Sequence, residues 1–220
     1  MRRSPILPAL LCAALAVGCA ASRSDIEGLY TGPAARNTGA TPVSVVFVFR
    51  HLSQQHGFDT IPKLEFEGVK DFDDLFRDAL REISNVSRYE TFTELPDDVN
   101  DPKRREKLAT ARSSADYAVE LELLEESSFK QQFLSATISL LSLTVIPMPY
   151  DWNYTIRADL KGKDGTLRAS YQRKATLSDW IQTFLIFVYP FHPIEGKREQ
   201  IYSESLHDIF RQIESEKVLR

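Results

Sequence analysis

The chain runs to 220 residues, with 27 Lys and Arg against 31 Asp and Glu, a formal charge of −4. That balance, with no basic stripe or arginine-rich tract, argues against a nucleic-acid partner. The length fits one domain, or one domain with an appended element, and is ample for a packed core.

In chain order the first element is Met1 to Cys19. Arg2 and Arg3 precede an apolar run from Ile6 to Val17 broken only by Pro8, and small residues lead into Gly18-Cys19. A positive start, an apolar middle and a small-residue cleavage site make a secretory signal peptide over residues 1–18, cut between Gly18 and Cys19. The run is about a dozen residues. A bilayer core takes roughly 20, so a retained transmembrane helix is disfavoured. Ala16-Val17-Gly18-Cys19 resembles the lipobox of bacterial lipoproteins, although Ala16 stands where leucine is usual. The resemblance implies that Cys19 is acylated, with palmitate or a similar chain, and becomes the new N-terminus. It also implies delivery to the periplasmic face of the outer membrane, because Ala20 and Ala21 lack the aspartate associated with inner-membrane retention.

Removing residues 1–18 takes away Arg2, Arg3 and Cys12. It leaves 25 Lys and Arg (27 less two) against 31 acids, a formal −6. The one remaining thiol would be the acylated one, so no disulfide is expected within the chain. Ala20 to Pro42 is rich in Ala, Ser, Thr, Gly and Asn and reads as a flexible tether, with Cys19 at its head, joining lipid to a domain over residues 43–220. A random coil of about 20 residues has an end-to-end distance near 25 Å.

Val43 to Phe49 is almost wholly β-branched or aromatic, which predicts a central strand covered on both faces. Arg50 to Gly68 reads as a polar connection. Asp71 to Asn85 is the clearest helix: Phe72, Leu75, Phe76, Ala79, Leu80 and Ile83 form one apolar stripe, and Asp71, Asp73 and Asp74 crowd the first turn, where the helix dipole favours negative charge. Val86 to Thr93 reads as a strand, and a second helix is expected from Asn100 or Asp101 to Ser114, with Pro102 in its first turn. Ala115 to Glu125 alternates as a half-buried strand. Tyr150 to Leu160 and Thr166 to Leu177 alternate about the turn Gly162-Lys163-Asp164-Gly165, a hairpin. A C-terminal helix from about Lys197 turns Ile201, Ile209, Phe210 and Ile213 inward. The expected fold is α+β: a three-layer or two-layer sandwich on a β-α-β-α-β core over about 43–125, extended by the hairpin at about 150–177.

Two charge-free segments flank the hairpin: Phe133 to Ile146, with Ser135, Ser139 and Ser142 at helical spacing, and Trp180 to Phe191. Both are too short to cross a bilayer as helices. One reading buries them against each other or under the sheet. The other makes them a membrane or partner contact through Phe133, Leu134, Ile138, Leu141, Trp180, Phe184, Ile186 and Phe187, since large exposed apolar patches mark interaction sites. Trp152, Trp180, Tyr150 and Tyr189 suit a headgroup interface.

No nucleophile elbow, phosphate-binding glycine loop, dinucleotide fingerprint or zinc-protease helix motif occurs. His51, His56, His192 and His207 lack ligand spacing, and His51 and His56 read as exposed polar residues. Glu120 and Glu122 share one strand face, read as solvated rather than as an acid–base pair. No cofactor, metal or catalytic residue is expected. The element order of residues 43–125 behind a lipobox looks like that of the curli-secretion channel lipoprotein, the peptidoglycan-synthase activator lipoproteins and the N-terminal domain of the Tol-system β-propeller protein. Without a diagnostic motif, that likeness implies a class and no site residue. The expectation is a non-catalytic envelope lipoprotein, held to the membrane by its N-terminal lipid, that binds an envelope protein or itself. Two alternatives are an oligomerising, membrane-inserting subunit of a secretion, transport or pore assembly, and a periplasmic hydrolase.

Overall fold

The computed structural model describes residues 21–37, 39–66, 71–142, 145–181 and 194–220. Seven strands form one mixed sheet: β1 (Ala21–Arg23), β2 (Val43–His56), β3 (Lys63–Leu64), β4 (Val86–Thr93), β5 (Tyr117–Ser128), β6 (Met148–Gly162) and β7 (Leu167–Ile181). The described residues also form four α-helices: α1 (Phe72–Leu80), α2 (Pro102–Ser114), α3 (Phe129–Leu141) and α4 (Ile194–Glu216). The order across the sheet is β1-β7-β6-β5-β2-β3, with β4 also on β2. One edge of β2 is therefore shared: β4 takes Val43 to Phe49 in parallel, and β3 takes Leu52 and Ser53 antiparallel.

Parallel neighbours need crossovers, and α1 and α2 supply them. Strands β4 and β5 lie on opposite sides of β2, so the chain reverses direction between the two crossovers. Right-handed connections then put the two helices on opposite faces. The side chains agree. Phe47, Phe49, Leu121 and Ile156 pack with Phe76 of α1 and with Ile209 and Phe210 of α4, whereas Val46, Val48 and Ala118 pack with Ala111 of α2. The first group is the main core. Phe76 stands edge-on to Phe47 and Phe49, with ring centroids 4.9 and 5.0 Å apart. Both forms of the expected sandwich are thus present. The parallel half is three layers deep, and the hairpin half is two, with α4 on one face and polar Thr155, Arg157 and Asp159 alternating on the other.

Helix α2 begins where its sequence predicts, with the Asp101 side chain accepting from the amides of Lys103 and Arg104 at 3.0 and 3.2 Å. Helix α1 is shorter than its apolar stripe. It ends at Leu80, and the amides of Arg81, Glu82 and Ile83 reach back only three residues, tightening the last turn. Asp71 sits in the left-handed region at φ 54° with no side-chain cap, leaving Asp73 and Asp74 as the acids of the first turn.

Two expectations need correction. The stretch from Arg50 is no connection at first: β2 runs on to His56, paired with β5 through Ser128. Its polar side chains are matched, Arg50 to Glu94 at 2.7 Å, His51 to Glu125 at 3.0 Å and His56 to Glu126 at 2.8 Å. Residues 21–37 are not a loose tether either. Ala21, Ser22 and Arg23 pair with Asp179, Ser178 and Leu177 of β7, and Ile26 is buried in the main core. The amides of Tyr30 and Asn37 then bond Asp208 and Glu214 of α4 at 2.9 and 2.7 Å. Strand pairing is made by backbone groups, so a composition of small residues does not forbid it.

Candidate membrane or partner interface

Helix α3 turns its small residues inward. Ser128 caps it, its hydroxyl accepting from the Gln131 amide at 3.4 Å. Ser135 and Ser139 are buried, and the Ser135 hydroxyl donates to the Pro149 carbonyl of β6 at 2.8 Å. Hydroxyls of this size let the helix approach β6 closely. The large side chains consequently face out: Phe133 is 63 % exposed and Leu141 80 %, with Leu134 and Leu140 exposed beside them and Ile138 half-buried. Among the described residues of this first segment, only Ser135 and Ser139 are buried, with Thr137, Ile138 and Ser142 half-buried, so the burial reading fails for its other large apolar side chains.

Everything apolar and exposed around α3 gathers at one end of the sheet. There β2 and β5 finish, β6 begins, and β7 ends at Trp180 and Ile181, which pair with Pro149 and Met148. Trp180, Ile181, Val145 and Ile146 are exposed there. Phe58, just past the end of β2, lies 6.1 Å from Phe129, which stacks on Phe133 at 6.0 Å. Strand β1 enters at the same end, through Ala21 opposite Asp179. The sequence reading named Phe133, Leu134, Leu141 and Trp180 but missed Leu140, Val145, Ile146, Phe129, Ile181 and Phe58. All but Phe58 stand in or beside the charge-free runs, and Phe58 had no local signal. Tyr150 is half-buried, and Trp152 is half-buried against the main core. Gly18, Cys19, Phe184, Ile186, Phe187 and Tyr189 lie outside the described residues. No helix among the described residues is long and apolar enough to cross a membrane.

Below this end, between the sheet and α4, lies a buried ionic cluster that the sequence did not announce. Glu125 accepts from Tyr202 at 2.6 Å, meets His51 at 3.0 Å, and is paired with Arg198. Burial pushes the Glu125 carboxyl up, but His51, Arg198 and Tyr202 together hold it below the usual carboxylate range. The converse holds for Tyr202, whose hydroxyl is raised well above its usual value by burial and by Glu125. His51 is thus buried, contrary to expectation, while His56 keeps an exposed ring. A cavity of about 560 Å³ opens beside the cluster, lined by Phe49, His51, Phe72 and Arg77 and bordered by the Asp71 group.

The remaining histidine described, His207, meets Glu82 at 3.0 Å and Asp78 at 3.3 Å. Glu120 is not free on a solvated face: Lys161, Arg112 and Arg50 approach it at 2.8, 3.1 and 3.8 Å. Among the described residues no group of three or more His, Cys, Asp or Glu is placed to hold a metal ion.

No family model matches the chain. No curated protein matches it in sequence. Among solved structures it is similar to the PelC dodecamer from Paraburkholderia phytofirmans, at 10 % identity and a TM-score of 0.34, over 86 % of this chain and 96 % of that one. A point variant of that dodecamer, in a second crystal form, gives 10 % identity and 0.33 over 88 % and 99 %. At these scores the likeness carries no argument.

Proposed function

We propose that the chain is a lipid-anchored lipoprotein of the cell envelope. Residues 1–18 are its export signal, Cys19 carries the acyl chains, and the α+β domain is a non-catalytic binding or assembly module facing the periplasm from the outer membrane. The observation that carries this reading is where Cys19 falls. It stands two residues ahead of Ala21, which is buried in a strand bonded to β7. Acyl chains there would be fastened to the edge of a rigid sheet. Each buried methylene contributes about 0.8 kcal/mol, so several chains hold a protein on a bilayer durably.

The test is Cys19→Ala with cell fractionation and intact-mass analysis. The native protein should sediment with envelopes and carry added acyl mass, and the variant should be released or remain an uncleaved precursor. A native protein without acyl mass, or a variant processed and retained like the native one, overturns the proposal.

A further inference from the structure

We propose that the apolar end of the sheet, α3 together with Trp180 and Ile181, seats in the same bilayer leaflet that holds the Cys19 acyl chains. The domain would then stand on the membrane at two adjoining points in one fixed orientation. This inference rests on the acylation of Cys19 proposed above.

Reach comes first. Ala21 follows Cys19 by two residue steps, with Ala20 alone between them. Fully extended, those steps span at most about 7 Å. Ala21 lies opposite Asp179, directly before Trp180 and Ile181. Acyl chains leaving Cys19 therefore bring a hydrocarbon phase to the edge of the patch, and a tethered second contact forms at high effective concentration.

Chemistry comes next. No charged residue occurs from Gln131 to Tyr150, so seating this stretch leaves no ion to strip of water, a heavy cost in hydrocarbon. Lys130 stands at its start, a cation suited to anionic headgroups. With 13 residues, α3 is about 20 Å long and can only lie in the interfacial plane. An ordinary interfacial helix turns its polar face to water. Here the polar stripe, Ser135 and Ser139, is already turned to the protein, so the opposite face is left for lipid. Trp180 sits at the rim, where indole rings favour the headgroup boundary.

A second copy of the chain fits this face less well. Two such ends pressed together would trap both acyl attachment points between protomers, whereas a leaflet takes patch and acyl chains at once.

The acylated Cys19 leaves the mature chain without a free thiol, so single cysteines can be labelled with a nitroxide. The variants are Leu134→Cys and Leu141→Cys on the patch, and Leu167→Cys at the far end of the hairpin. Each full-length variant is purified with its acylation verified by intact mass, then reconstituted in phosphatidylethanolamine–phosphatidylglycerol vesicles. Power saturation compares access by oxygen, which concentrates in hydrocarbon, with access by a water-soluble nickel chelate. The oxygen-to-nickel ratio at 134 and 141 should exceed that at 167 by about tenfold, as for a helix face sunk 5–10 Å into the boundary. Acylated protein whose ratios are equal at all three sites overturns the inference and leaves the anchor standing. Spin–spin broadening at 134 and 141 that persists in detergent assigns the face to a second copy and also overturns it. Missing acyl mass defeats the anchoring proposal itself, and this inference with it.

Discussion

Ala21 lies directly across from Asp179 in the last pair of the sheet, and both are buried although Ala21 belongs to the edge strand β1. The Asp179 carboxyl has an oxygen with no hydrogen-bond partner among the described residues. Burial pushes its pKa up, only partly countered by the Trp180 amide.

That carboxylate is therefore a local cost at neutral pH. Its folded pKa is raised, so its contribution is most favourable below the unfolded value of 3.8 and is lost as pH rises through the folded one. Asp179→Asn should stabilise the domain at neutral pH by about 1 kcal/mol, and the gain should shrink toward acid. Urea midpoints of the two proteins across the acid range check it.

Hydrophobicity along α3 is inverted relative to an ordinary amphipathic helix, and stability should follow the inversion. Ser139 is buried with its hydroxyl unpartnered among the described residues, so Ser139→Ala should be neutral or stabilising by up to about 1 kcal/mol. Ser139→Leu should cost about 1–3 kcal/mol by overpacking against β6. Leu141→Ser, on the exposed face, should stay within about 0.5 kcal/mol. Thermal or denaturant melts of the three variants decide the matter.

Arg173 and Asp208 form a buried pair at 2.7 Å joining β7 to α4, and Asp208 also accepts the Tyr30 amide. Arg173→Ala leaves that carboxylate without its cation and should cost about 3–5 kcal/mol. Arg173→Met with Asp208→Leu should recover part of the loss. Because Tyr30 shares the same carboxylate, limited proteolysis near residue 30 should quicken in both variants.

Glu125 should make the domain acid-sensitive. Its carboxyl is depressed in the folded state by His51 of β2 and by Arg198 and Tyr202 of α4. The stability it contributes is present above the unfolded value of 4.5 and is lost as pH falls through the folded one. Asp179 pulls the other way in the same range, so the comparison to make is wild type against Glu125→Gln. The variant should be less stable at neutral pH and should lose less on acidification, read from urea midpoints.

Much of the fold was legible because its elements announce themselves locally. Apolar residues on both faces gave β2, strict alternation gave β5 and the hairpin, and Asp101-Pro102 marked the start of α2. What escaped notice was written between distant segments. Strand β1 has three residues of no particular character, and only β7 makes it a strand. The polar second half of β2 is held by Glu94, just past the end of β4, and by acids on β5. The same holds at the apolar end. The charge-free runs were visible, but which side of α3 faces out is set by how closely Pro149 approaches Ser135. Periodicity within the helix cannot state that distance.

The contacts of residues 21–37 tie the two extremes of the chain together: Arg23 to Glu204, Tyr30 to Asp208, Ala35 to Ser215. None of these bonds can form until the final helix has been made, and partners this remote in sequence assemble slowly. Residues 21–37 therefore stay unfastened on this side until α4 has packed against the sheet. The last helix thus acts as the latch that fastens residues 21–37 to the rest of the molecule.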